Sequence, residues 1–335
     1  MYDVISIGSA TLDVFLKVPE LQVSRTKEVF TGEALLLPYG GKCEVEELLL
    51  ASGGGGTNTA VGFRRLGLKS AVVARCGWDF GGRLVRAELK KEGVDDSLLI
   101  QLEGEQTDYS TILIGPDGRG TILVYRGKTR LEKSLIDFSK LDARWFCISH
   151  LEGNLDLFGE FLRFAKKNKI KVAFNPGRKE IEKKEALLPL IKDIDLLVVN
   201  REEAARLTGV DYFDAGVFQK SAAVSQGLVA VTQGAEGVYL FDRQDRLLVA
   251  DGFKMEMVDA TGAGDGFFCG LVAGLIKGWP LEKALKLGIA NGASVVTEVG
   301  AKTALLYEEN LHNWLEKPLK MKWRKSPTKA KELKI

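Results

Sequence analysis

Histidine is nearly absent from this chain, with His150 and His312 the only two in 335 residues. A mechanism built on histidine bases or a histidine metal cluster needs better-placed ones. The four cysteines, Cys43, Cys76, Cys147 and Cys269, show no C-x-x-C spacing. That argues against a zinc site or a disulfide framework and fits buried thiols in a reducing cytoplasm. No apolar run reaches the roughly eighteen residues that a membrane span requires. The opening residues, Tyr2-Asp3-Val4-Ile5, lack the basic-then-apolar pattern of a secretion signal. An excess of one charge is missing as well: 47 Lys and Arg face 45 Asp and Glu, a formal net charge of +2. No general attraction to nucleic acid or membrane follows. The balance is uneven, because residues 316–335 hold eight Lys or Arg against two Glu (8 − 2 = +6), leaving about −4 on the rest (2 − 6). With Pro318 and Pro327 inside it, this basic tail reads as a solvated or weakly helical appendage. Gly41-Lys42 is followed by Cys43, so there is no G-x-x-x-x-G-K-[ST] phosphate loop at that position.

What is present is a 45% hydrophobic composition, ample for a sizeable core, arranged in alternation. Short apolar strands are expected at 4–8, 71–74, 145–149, 171–174, 195–199, 228–232 and 237–241. Helices are expected near 57–66, 81–92, 154–168, 180–192, 201–208, 214–226, 264–277, 281–298 and 308–315. This alternation predicts one α/β domain over residues 1–315, with a mostly parallel sheet covered on both faces. Two regions do not fit it. Residues 14–50 contain strand-like stretches broken by Pro38-Tyr39-Gly40-Gly41. Residues 107–126 read as a hairpin around Gly115-Pro116-Asp117-Gly118. Together they predict a small β lid.

Two glycine clusters carry the chemistry. In Val258-Asp259-Ala260-Thr261-Gly262-Ala263-Gly264-Asp265, small residues open an apolar helix from Phe267 to Ile276. The first turn of a helix offers unpaired N–H groups and the positive end of the macrodipole. Small residues let an anion approach those groups closely. Asp265 stands at the edge of that anion hole, where a carboxylate suits phosphoryl transfer to a hydroxyl. The second cluster, Ser52-Gly53-Gly54-Gly55-Gly56-Thr57-Asn58, opens another helix. Four glycines there imply close approach of backbone to something, and Asn58 brings both a donor and an acceptor suited to a polyol. Asp13, Asn200 and Thr232 all follow apolar strands, where parallel sheets place their ligands.

Taken together, Gly53-Gly54-x-Gly56-x-Asn58 through Leu66-Gly67 and Asp259-x-Thr261-Gly262-Ala263-Gly264-Asp265 resemble the two signatures of the PfkB carbohydrate kinases, the ribokinase-like group. The resemblance implies a three-layer α/β/α fold with a mostly parallel central sheet and a small β lid. It implies transfer of the γ-phosphoryl group of ATP to a hydroxymethyl group of a sugar or related polyol. In that reading Asp265 is the base, and Gly262, Ala263 and Gly264 form the anion hole. Asp13, Gly54 and Asn58 bind the acceptor. Asn200, Thr232, Gly234, Gly237 and Asn291 bind the nucleotide. Glu203 serves Mg²⁺ within an N-x-x-E element, and Asp259 with Thr261 serves K⁺, which many members bind. Asn200 and Glu203 also read as a helix capping box, and Asp259 as a turn cap. A cytoplasmic enzyme with a small-molecule acceptor and a homodimer joined through the lid is expected, without membrane or nucleic-acid partners. Two other readings stay open: a nucleoside kinase of the same family, and a non-catalytic sugar- or nucleotide-binding regulator. The intact Asp265 and its glycines argue against the regulator.

Overall fold

Apolar residues at alternate strand positions build two cores. Ile5, Ile7, Phe146, Ile148, Phe174 and Val199 face one way, while Val4, Cys147, Ala173 and Val198 face the other. Period-two alternation puts each set on its own face of a sheet, so a sheet buried on both sides must carry two apolar faces. The computed structural model describes residues 1–29, 32–115, 117–244 and 246–325. Within it six strands run parallel: Ser70–Val73, Tyr2–Ile7, Ala143–Ile148, Lys171–Phe174, Leu196–Asn200 and Leu228–Thr232. Three antiparallel strands, Val238–Phe241, Arg246–Ala250 and Met321–Lys325, extend one edge to give nine. Helices cover both faces, giving the expected three-layer α/β/α arrangement.

The last of these strands corrects the reading of the basic tail. Residues 321–325 are part of the sheet edge, not a solvated appendage. Half-buried Met321 and Trp323 alternate with exposed Lys322 and Arg324. The indole N–H of Trp323 donates to Glu282 at 2.6 Å, and the Arg246 guanidinium lies 4.5 Å from its ring centroid. Lysines along an exposed edge discourage pairing with another chain. Residues 326–335 of the tail, Phe30 and Thr31 of the expected lid strands, and Pro116 of the hairpin turn lie outside the described residues.

The lid is a four-stranded sheet in the order Gly120–Tyr125, Asp108–Ile114, Thr11–Lys17, Glu47–Gly53. A two-stranded ribbon, Gln22–Arg25 with Glu33–Leu36, accompanies it. Thr11–Lys17 begins four residues after the central strand Tyr2–Ile7. Glu47–Gly53 ends where the Gly55–Arg65 helix begins. Lid and body therefore meet at the two glycine-rich helix starts.

Close helix packing fixes the second of those starts. A Cβ on Gly266, Gly270 or Gly274 would come within 2.6 to 3.0 Å of Val295, Leu287 or Ala284. This ridge of small residues on the Ala263–Ile276 helix lets the Leu281–Val295 helix lie against it almost backbone to backbone. Gly62 of the Gly55–Arg65 helix is likewise filled by the Cys269 sulfur, which would sit 2.4 Å from a Cβ there.

Candidate active site

The two glycine-rich starts face each other across a small space. Asn58, in the first turn of the Gly55–Arg65 helix and only 5% exposed, donates its side-chain N–H to Asp265 Oδ2 at 2.8 Å. Its Oδ1 is buried without a hydrogen-bond partner among the described residues. A Cβ on Gly55 would lie 3.5 Å from Asp265 Oδ1, and one on Gly53 would lie 1.7 Å from Asp13 Oδ2. The short run Gly53 to Gly55 thus passes between two carboxylates: only glycine at 53 leaves room for Asp13, while at 55 a Cβ would collide with Ser149 at 2.7 Å. Gly54, at φ +91°, caps the helix and lies against the Ser9 backbone, a conformation that favours glycine.

Both carboxylates are protonated more readily than usual. Burial pushes the Asp265 carboxyl up, and the Asn58 hydrogen bond with the charges of His150 and Lys302 pulls it partly back. Burial also raises Asp13, against the hydrogen bond from Thr11 (2.7 Å) and the positive charges of Lys302 and Arg126. A raised carboxyl beside a reacting hydroxyl is tuned toward accepting its proton.

The Ala263–Ile276 helix starts as the anion hole requires. Gly262 is its N-cap in the left-handed region at φ +82°, and Gly266 N–H makes the first intrahelical bond, to Gly262 O at 2.8 Å. Ala263 N–H bonds back to Ala260 O at 3.3 Å. The N–H groups of Gly264 and Asp265 have no carbonyl one turn back within the helix. Gly264 is exposed, with nothing within 4 Å of where its Cβ would stand. The unpaired N–H groups at this start are thus those of Gly264 and Asp265, whereas the sequence suggests Gly262, Ala263 and Gly264 for an anion hole.

Behind it lies a cavity of about 240 Å³ lined by Thr232, Gly234, Gly237, Ala263, Gly264 and the apolar side chains of Met255 and Phe267. It is mostly apolar and opens on the helix start, a shape suited to a flat base with its phosphates toward the N–H groups. Asn200 and Thr232 stand side by side at the ends of neighbouring strands.

Four of the anticipated ligands are engaged in holding the fold. Asn291 is wholly buried: its side-chain NH₂ donates to Gly266 O at 2.8 Å and to the Cys269 sulfur at 3.1 Å, and its Oδ1 accepts from Leu306 N–H at 2.9 Å. It ties two helices to a loop and does not line that cavity. Its neighbour Gly292 lines that cavity instead. Asp259 is also fully buried, accepting from Thr261 N–H and Gly300 N–H, each at 2.9 Å. Asn200 and Glu203 form the reciprocal capping box, at 2.9 and 2.8 Å. Glu203 nonetheless has its carboxyl pushed up to about 7, by burial and by the nearby charges of Glu202 and Asp265. A cation near Glu203 would relieve that crowding. Among the described residues no three His, Cys, Asp or Glu side chains converge as a protein-only metal cage.

Sequence reasoning set His150 aside as poorly placed for a histidine mechanism and passed over Lys302 and Glu152. His150 Nε2 sits 3.0 Å from Ser9 Oγ, beside the Gly54 turn. Glu152, held in the left-handed region at φ +56°, pairs with Lys179 at 2.7 Å and Arg126 at 3.3 Å. A charged residue immediately before Gly153, at the end of a central strand, was the available signal.

The family model described as pfkB family carbohydrate kinase matches residues 1–307. The chain belongs to the pfkB family of carbohydrate kinases. It is 29% identical over 317 residues to a ribokinase of Haemophilus influenzae, covering 92% of this chain and 97% of that protein. A nucleoside kinase of Methanocaldococcus jannaschii is 27% identical over 269 residues, 79% of this chain and 85% of that one. Among solved structures, Arabidopsis thaliana ribokinase complexed with ribose and ATP superposes with a TM-score of 0.76 at 20% identity, covering 95% and 99% of the two chains. As a member of this family the kinase is a phosphotransferase with an alcohol group as acceptor. No helix among the described residues is long and apolar enough to cross a membrane.

Proposed function

We propose that this kinase transfers the γ-phosphoryl group of ATP to a hydroxymethyl group of a sugar or nucleoside, in the space between the two glycine-rich helix starts. The observation that carries the reading is the Asn58–Asp265 hydrogen bond with Asp13 on the other side of Gly53. Asp13 and the free Oδ1 of Asn58 hold hydroxyls of the acceptor, and Gly54 borders it with its backbone. The acceptor oxygen attacks the γ-phosphorus, its proton passes to Asp265, and ADP leaves. The N–H groups of Gly264 and Asp265 meet the charge on the transferred group, where fixed dipoles contribute most. Thr232, Gly234 and Gly237 border the base.

Mg²⁺, when bound, neutralises the nucleotide phosphates. Glu203 would hold it, largely through water. Asp259 spends one lone pair of each oxygen on capping, which leaves the others, with the Thr261 hydroxyl, to receive a potassium ion. A turnover screen of sugars and nucleosides with Mg-ATP tests the reading. Phosphorylation of none of them, with the nucleotide still bound, would remove it.

Lid-to-lid dimerisation is part of the proposal. Gly120–Tyr125 is exposed along its whole length, with Ile122, Leu123 and Val124 about half accessible. Leu48 and Leu50 at the opposite edge of the same sheet are exposed too. Pairing two such faces covers apolar area and an unpaired edge. Sedimentation at micromolar concentration should give a dimer.

A further inference from the structure

Lys302 is 4% exposed, yet its ammonium has a use for each of its donors. It donates to the Ser52 carbonyl oxygen and to Ser52 Oγ at 2.6 Å, and it pairs with Glu88 Oε1 at 3.3 Å. Glu88 Oε2 in turn accepts from Ser52 N–H at 2.9 Å. One ion pair thus grips every polar group of a single residue. Buried ion pairs contribute little net stability compared with apolar residues of similar volume, so a purely architectural need does not explain this one.

The position of Ser52 does. It stands opposite Leu12 in the lid sheet, which sets Gly53 opposite Thr11 and places the Asp13 carboxylate where a Gly53 side chain would be. Gly54 and Asn58, which reach Asp265, follow directly in the chain. On its own strand of chain, Lys302 lies two residues past Gly300, whose N–H caps Asp259 at the foot of the anion-hole helix. We propose that Lys302 is a positioning residue for the acceptor: it fixes the Ser52–Gly54 segment against Asp13 and is one of the two cationic side chains that face that carboxylate. The proposal rests on the reading of Asp13 as the group that binds the acceptor hydroxyls. The other groups facing Asp13 are the Arg126 guanidinium and the hydroxyls of Thr11 and Ser110. Facing Lys302 are Glu88, Asp13 and the Arg65 guanidinium.

The test uses the full chain with ¹³C-labelled aspartate, the Asp13 carboxyl signal being assigned by its loss in Asp13→Asn. The double variant Lys302→Met/Glu88→Leu removes the pair without stranding Glu88. Its Asp13 carboxyl should titrate at a higher pH than in the parent, because one of the positive charges facing it is gone. Using whichever of ribose, fructose and cytidine the parent phosphorylates fastest, the acceptor KM should rise several-fold, and more at pH 5 than at pH 8, because a carboxyl that titrates higher is protonated over more of that range. The KM for ATP should stay within about twofold, since Lys302 touches nothing in the nucleotide cavity. Lys302→Arg, which keeps the charge, should titrate closer to the parent than Lys302→Gln, and this pair replaces the double variant if that one fails to fold. An unmoved Asp13 titration, with the acceptor KM raised only in Asp13→Asn, overturns the role of Lys302 and leaves the acceptor site standing. An unchanged acceptor KM in Asp13→Asn overturns the acceptor site and this proposal together.

Discussion

The two glycine-rich helix starts look alike in sequence and answer different physical needs. At Gly53 to Gly56 the space of every missing side chain is already occupied by protein: the Asp13 carboxylate at Gly53, Ser9 at Gly54, Ser149 at Gly55 and the Gly8 backbone at Gly56. At Gly262 only the left-handed N-cap is crowded, by Ala301, while Gly264 faces open space. The first cluster is a packing device that brings two carboxylates and an amide together. The second is an opening left for a ligand. A run of glycines therefore says that something comes close to the backbone. Whether that something belongs to the protein is decided by residues far away in the chain.

The largest expected effect lies where the two starts meet. Asp265→Asn should lower turnover by roughly 10²–10⁴-fold, the usual contribution of a general base, while nucleotide affinity stays near that of the parent. Steady-state kinetics beside a calorimetric nucleotide titration check it, and turnover within a few-fold of the parent would break the assignment. On the acceptor side alone, Asp13→Ala should raise the acceptor KM by about tenfold or more, since a buried hydrogen-bonding charge is lost, with the KM for ATP nearly unchanged. The opposite split would show that the two halves have been exchanged.

The nucleotide side carries a smaller, pH-dependent effect. The Glu203 carboxyl is pushed up to about 7 in the folded kinase, against an unfolded value near 4.3. The folded state therefore holds the extra proton between those two values, and stability falls as pH rises through that window. Glu203→Gln keeps a capping oxygen and removes the charge. Its melting temperature relative to the parent should climb between pH 5 and pH 8, by less than about 1 kcal/mol in stability because the group is only partly buried and water screens it. A flat difference across that range would show that the charge is not confined as described. The smallest effect concerns Asp259 and Thr261: activity in potassium should exceed activity in sodium or a bulky organic cation by a few-fold. Identical rates in all three salts remove the cation from the site.

Much of this molecule is legible in one dimension. Apolar runs ending in Gly8, Asn200 and Thr232 mark parallel strands and the edge where ligands bind, and the helices at 201–208 and 264–277 follow from local caps and small residues. What was not legible depends on partners remote in sequence. Asn291, in an Ala- and Gly-rich helix, looks like a ligand contact, but its amide is consumed by Gly266, Cys269 and Leu306. Lys302 reads as one more surface lysine, and only the fold brings it to Ser52, 250 residues earlier. The basic stretch at 321–325 looks solvated because its lysines outnumber its apolar residues. Its alternation with Met321 and Trp323 becomes meaningful only beside Arg246–Ala250.

The contrast between the starts is tested most directly by paired alanine substitutions, Gly53→Ala and Gly264→Ala, each measured for melting temperature and turnover. Gly264→Ala should leave the melting temperature unchanged or higher, because alanine is favoured over glycine in a helix by about 1 kcal/mol, yet lose at least tenfold in turnover as its methyl enters the phosphoryl space. Gly53→Ala should lower the melting temperature as well as the turnover. Full turnover in Gly264→Ala would contradict the account, because the opening at the second helix start would then hold no reacting group.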